Sequence, residues 1–355
     1  MSFVMSKKDS YKQLVEMQTG GKNTVIFDDK GYPSVMVRIP KFYLDEVIDG
    51  APHEIHPAFK VGGEIKDVIY ISKYQNIINE GRAYSLPHQD PQAYVDFDAA
   101  RDACFAKGNG WHLMTNAEWA AIALWCRKNG FEPRGNNNYG NDVSATYEKG
   151  VPTYKYDSPE KVGRVATGSG PVSWTHDGTL AGICDMNGNV WEWVDGLRLI
   201  DGKIWLFDDN DFMTDNVAGD TTGWYDTATY IDNSTAGDSV EDSHNVGGDL
   251  VLSDSRSNPM YDSDVNEHYG YNDTLFENLT ADITVPDLLK HHAIYPTGTA
   301  YNGDNVWARN YGERAALRGG HWHSGSEAGL FALNLRCRRS HSRTGFGFRS
   351  AYVPL

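Results

Sequence analysis

The residues best suited to chemistry lie at the end of the 355-residue chain, in "ALRGGHWHSGSEAGLFALNLRCRRSHSRTGFGFRSAYVPL", residues 316–355. His321 and His323 stand two positions apart. On a strand both would project from one face and could ligate a metal. No third ligand accompanies them, which favours imidazoles on an exposed binding surface. Between 317 and 355 there are six arginines and one acidic residue, Glu327, in a chain of net charge −16. A locally basic face suggests an anionic or carbohydrate-phosphate ligand through charge complementarity. The competing expectation is that Arg318, Arg339 and Arg349 are all paired internally and leave little net field.

A second concentration is "GICDMNGNVWEWVDG", residues 182–196. The run WEW alternates apolar and acidic, so a strand here would bury Trp191 and Trp193 on one face and turn Glu192 to the other. Asp185 and Glu192 flank a glycine-containing turn. Two carboxylates with free carbonyls around such a turn suit a hard cation such as calcium. On these residues alone the better expectation is that Glu192 pairs with an arginine or with backbone amides, because a calcium loop needs several converging oxygens.

Several elements must position these groups. "NTVIF" and "SVMVRI", joined by "DDKGYP", predict a hairpin inside a separate β-rich unit, residues 1–60. Residues 67–76 predict another strand. Asp96 is a helix N-cap followed by a small-residue stripe, Ala99, Ala100, Ala103 and Cys104, ending at Gly108. Thr115 and Glu118 form a capping box for a second helix with Trp119, Ile122, Ala123 and Cys126 on one face and Gly130 at its end. Residues 200–310 are acidic and rich in Asn, Gly and Ser, and predict long surface excursions.

Bulk composition excludes some classes. So acidic a chain lacks the cationic face that nucleic-acid binding needs and is repelled by anionic membranes. The longest apolar run, "AAIALW", is too short to span a bilayer. Four scattered cysteines show no zinc spacing. The first residues have no apolar signal core, so synthesis in a bacterial cytoplasm without a signal peptide is expected.

"DMNGNVWEWV", then "LRGGHW", then "GFGFRSAY" resemble the formylglycine-generating-enzyme type of C-type lectin fold. "DFDAARDACFAKG" and "HLMTNAEWAAIA" resemble the two helices that precede the turn in that family. The resemblance covers roughly residues 65–200 and 312–355. It implies an α+β fold with little regular structure, spanning 61–355 here, with the 200–310 segment as an insertion. It also implies calcium at the turn, held by Asp185, Glu192 and the carbonyls of Gly188 and Val190. Family members that are oxidases need a cysteine pair shortly after the GG, since copper(I) chemistry demands soft thiolates. "GGHWHSGSEAG" has none, and Cys337 is alone downstream, so an oxidase is the alternative rather than the expectation. A constant carbohydrate-binding module is a further alternative, although calcium-lectin signatures are absent.

The tail also resembles the variable region of proteins diversified by a diversity-generating retroelement, which use this fold. That resemblance implies a non-enzymatic receptor-binding protein. Ten positions would vary: His321, His323, Ser324, Arg336, Cys337, Arg338, His341, Arg343, Gly345 and Phe346. Trp322, Leu330, Phe331, Leu333 and Leu335 would form the buried frame, and Arg318, Arg339 and Arg349 would hold carboxylates or carbonyls beneath it. It further implies a variable ligand, a bacterial surface protein or glycan, and a virion or prophage setting. Residues 1–60 would attach the module to a phage tail or form a homo-oligomer.

Overall fold

The computed structural model describes residues 7–237, 247–260 and 270–355. Helix α1 (Lys7–Gln18) precedes strands β1 (Asn23–Phe27) and β2 (Pro33–Pro40). Between them Asp28 accepts the backbone N–H groups of Lys30 and Tyr32 at 3.1 and 2.7 Å, which closes the expected hairpin turn. Then come β3 (Val68–Ser72), α2 (Phe97–Phe105), β4 (Trp111–Leu113), α3 (Asn116–Lys128) and, after a long irregular stretch, β5 (Trp191–Ile200). Strands β6 (Lys203–Phe207), β7 (Trp224–Asn233), β8 (Leu250–Ser253), β9 (Asn272–Leu275) and β10 (Thr280–Ala281) follow, then the short helix α4 (Asp287–His291). The chain closes with β11 (Asn305–Ala308), β12 (Glu313–Arg318), β13 (Leu333–Cys337), β14 (Phe346–Phe348) and β15 (Ser350–Tyr352).

Two sheets organise these strands. One runs β1-β2-β3-β15-β4, antiparallel throughout. The other runs β9-β11-β13-β12-β5-β6-β7-β8-β10. Strand β5 is its spine. Along one edge it pairs with β12; along the other its first residues pair in parallel with β14 and its last with β6. Gly196, at φ +73°, makes the change of partner possible: a Cβ there would lie 2.6 Å from the Phe207 ring.

Both predicted helices form with their predicted caps. Asp96 accepts from the Ala99 amide, and the Thr115 and Glu118 side chains bond reciprocally to each other's backbone N–H. In α2 the buried stripe is Phe97, Ala100, Ala103 and Cys104, with Ala99 exposed. Helix α3 is buried almost all round, not on one face. The Glu118 carboxylate is further held by the His112 ring at 2.9 Å and the Asn210 amide at 3.2 Å.

Two expectations are corrected. Residues 1–60 are not a separate unit: β2 pairs with β3 over Met36–Pro40, and β3 pairs with the C-terminal β15. The described part of the segment also begins with a helix, none of whose residues is buried. Residues 200–310 are not chiefly surface excursions. They supply β6 to β11 of the large sheet and bury Ile204, Leu206, Ile231, Leu250, Leu252 and Phe276. Ile204 and Leu206 turn inward, alternating with the half-buried Lys203 and Trp205, while many of the acidic residues, such as Asp208, Asp220 and Asp254, are exposed in the turns, so the average composition hides the strands. Two parts of this segment, residues 238–246 and 261–269, lie outside the described residues.

Candidate functional site

The tail begins where β12 ends. Gly319 and Gly320 have φ of +88° and +83°, and a Cβ on Gly320 would lie 2.4 Å from the Ala328 Cβ, so only glycine fits this reversal. Beneath it Arg318 is fully buried. Its guanidinium donates to Asn116 Oδ1 at 2.8 and 3.0 Å and to the carbonyls of His292 and Ala293 at 3.3 and 3.0 Å. Trp322 is buried, its carbonyl accepting from the Tyr139 N–H, its ring 6.0 Å from both Tyr154 and Tyr156. Leu330, Phe331, Leu333 and Leu335 are buried as the frame requires.

Seven of the ten expected display residues reach solvent: His323 and Arg343 are exposed, and His321, Ser324, Arg336, Arg338 and His341 are half-buried. His321 Nδ1 lies 2.7 Å from Ser324 Oγ, and its ring is 4.0 Å from that of His323. The Arg343 Nε–H donates to His341 Nε2 at 2.8 Å. Desolvation first, and then His323 and Arg336, hold the His321 pKa well below its usual value. Desolvation also lowers that of His323. Both rings are therefore neutral near pH 7. Arg338 instead lines an open cleft of about 670 Å³ with Arg256, Tyr311, Arg314 and Arg339.

Three expected display positions are corrected. Cys337 is buried, continuing the inward alternation of Leu333 and Leu335. Phe346 is buried with Phe348 on β14, edge-on to Trp193 at 5.6 Å. Gly345 has no room for a side chain, since a Cβ would lie 2.6 Å from His321 Cδ2. The period-2 rule, applied outward from Leu335 and Phe348, would have found the first two.

Of the two expectations for the tail arginines, the structure matches internal pairing for Arg318, Arg339 and Arg349, while Arg336, Arg338 and Arg343 reach solvent. Arg339 pairs with Asp98 and Glu313, Arg349 with Glu192, and Arg318 with amide and carbonyl oxygens. In their place the face carries a tyrosine rim that tail-based reasoning missed. Tyr139 and Tyr156 flank His323 at 5.9 and 6.2 Å. Tyr94, well exposed, donates its backbone N–H to the Arg343 carbonyl, and Arg336 sits 4.6 Å over the Tyr271 ring.

Under this floor lies His292, fully buried, with neither ring nitrogen hydrogen-bonded. Burial pushes its pKa down to about 3. The unfolded chain takes up a proton below about pH 6.5 while the folded one does not, so stability falls as pH drops through that value. This residue alone should cost about 2 kcal/mol on going from pH 7 to about pH 5. Urea melts at both pH values should show that His292→Leu shrinks the acid loss by about that amount. An unchanged acid loss would exclude His292 as its source.

At the turn, Asp185, Gly188, Val190 and Glu192 are brought together, but their groups do not fit calcium as the resemblance implied. Glu192 lies on the opposite face from the tryptophans, as expected, yet it is buried and bonded through both oxygens to Arg349 at 2.5 Å. The Asp185 carboxylate accepts from the Gly168 amide at 2.8 Å, and burial raises its pKa to about 6. The carbonyls of Asp185, Gly188 and Val190 turn instead to the amide nitrogen of Gln75. Among the described residues no group of three or more His, Cys, Asp or Glu side chains is placed to hold a metal ion.

Residues 5–209 match the sulfatase-modifying factor enzyme 1-like domain. The chain belongs to this family. Its fold is the α+β C-type lectin fold in the form this family takes, and the match ends before β7 and before the tail. Among solved structures, PvdO from Pseudomonas aeruginosa is similar at 14% identity over 93% of this chain and 97% of that one, with a TM-score of 0.37. Treponema denticola variable protein 1 is 12% identical over 94% and 99%, with a TM-score of 0.32. The Major Tropism Determinant U1 variant is 12% identical over 93% and 71%, also at 0.32. No curated protein matches the chain. No described helix is long and apolar enough to cross a membrane.

Proposed function

We propose that this chain is a non-enzymatic receptor-binding protein whose C-terminal face is diversified by a retroelement. One observation carries the reading: within a single segment, the frame side chains are buried while seven of the ten display side chains reach solvent. Outward residues on such a base can change without unfolding it. The tyrosine rim supports a binding role, since tyrosine offers large, rigid, amphipathic contact area. Against oxidase chemistry, all four cysteines are buried, and burial raises the thiols of Cys104, Cys126 and Cys184, the last to about 12. Such thiols are poor sources of the thiolate that copper chemistry requires.

The ligand we infer is a protein or glycan on a bacterial surface, met from a phage tail or prophage particle. With β1 and β2 committed to a sheet, attachment or oligomerisation falls to α1, which exposes Leu14 and Met17. The test is to sequence codons 316–355 from many isolates of the same element. Variation is expected at His321, His323, Ser324, Arg336, Arg338, His341 and Arg343, with the frame constant. An invariant tail would replace this reading with a binder of fixed specificity.

A further inference from the structure

The turn at residues 185–192 gathers oxygens as a cation site does, yet what they surround is a side chain of the protein itself. Gln75 is fully buried between β3 and the turn. Its Nε2 lies 3.1 Å from the Asp185 carbonyl, 3.3 Å from those of Gly188 and Val190, and 3.0 Å from Glu192 Oε1. Its Oε1 accepts from Asn189 Nδ2 at 2.8 Å, which fixes which end of the amide faces the oxygens. Asp185 and Asn189 both have φ of +62°, so the turn adopts left-handed backbone at two non-glycine positions and converges its carbonyls.

We propose that Gln75 and Arg349 together replace the cation at this turn, so that the fold is built to be independent of calcium. This inference concerns the turn alone and does not rest on the proposed binding function. A divalent ion does two things in such a place: it ties carbonyl oxygens together and it neutralises the carboxylate. Here the two tasks are divided. The neutral amide offers two N–H donors, shared among the converging oxygens. The guanidinium neutralises Glu192 from the other side, through Nε to Oε2 and Nη2 to Oε1 at 2.5 Å each. Arg349 also donates to the carbonyls of Ser72 and Cys184, both at 3.1 Å, so its charge is committed on several sides.

Distances decide between an ion cage and a hydrogen-bond cage. Calcium holds oxygens at about 2.3–2.6 Å. Oxygens at 3.0–3.3 Å from a central nitrogen are at N–H···O spacing instead. The neighbouring residue explains why Gln75 cannot easily swing away. The Asn76 backbone N–H donates to the Phe348 carbonyl, and Asn76 Oδ1 accepts from the Ser350 amide at 2.6 Å. The residue that follows the amide is thus tied to a strand of each sheet.

The experiment is thermal melting of the full chain in excess EGTA and in millimolar calcium, with ionic strength matched by sodium chloride. The parent is expected to melt at one temperature in both; a lower melting temperature in EGTA would overturn the proposal. Gln75→Ala uncovers the oxygens, so it is expected to lose several degrees in EGTA and to regain part of the loss with calcium. A variant as stable as the parent in EGTA, or one destabilised and blind to calcium, would overturn it. If Gln75→Ala does not accumulate as folded protein, Gln75→Glu serves. Its carboxylate, set among the oxygens, should make melting rise with calcium, and a flat response would count against the proposal.

Discussion

Arg349→Met is expected to destabilise the protein by about 3–5 kcal/mol, because it leaves a buried carboxylate without its counter-charge. Both partners are 1% exposed or less, so Glu192 cannot recover solvation by moving outward. The lost side chain also strands the carbonyls of Ser72 and Cys184 that it now serves. Arg349→Lys separates charge from geometry: an ammonium keeps the charge but not the two-pronged match to a carboxylate, so an intermediate loss is expected. Equilibrium unfolding in urea reads both. A loss below about 1 kcal/mol for Arg349→Met, the range of an exposed pair, would mean that Glu192 is satisfied without it.

The second large effect sets the frame against the display. Trp191→Ala should cost about 3–5 kcal/mol, as expected for truncating a buried aromatic. Trp191 packs edge-on against Trp307 at 5.4 Å, and its backbone N–H donates to the Gly345 carbonyl. Replacing His323, Arg336, His341 and Arg343 by serine in one variant should cost little, since surface substitutions usually stay within about 0.5 kcal/mol each. The comparison is made by urea midpoints at one pH. Equal losses for the two variants would show that the display residues hold the fold together and are not free to change.

Local signals were the legible ones. Asp96 and Thr115 announce their helices, because a cap is a bond between residues three apart. The WEW alternation announces β5 for the same reason. Long-range pairing was not legible. Gln75 reaches the turn across more than a hundred positions, and Arg349 reaches Glu192 from the far end of the chain. Nothing local in a glutamine before an asparagine marks it as the centre of four oxygens. Cys337 and Phe346 are legible in the strand period, which runs inward through Leu335 and Phe348, although the tail's likeness to a variable pattern would turn them outward. Residues 200–310 differ in another way: much of their acidic content lies in the turns, as at Asp208, Asp220 and Asp254, and it masks the strands between, whose buried residues complete the sheet.

The closing strands have a consequence for how the chain is made. Strand β14 lies against β5, and two residues later β15 enters the middle of the other sheet, between β3 and β4. The two sheets are not both complete until the ribosome has passed Tyr352, so folding finishes only after that residue has been made. A frameshift or stop codon anywhere upstream in the tail removes both strands together with Arg349. Any copy that folds has therefore been read through at least to Tyr352, so the fold itself checks that the reading frame of the tail is intact.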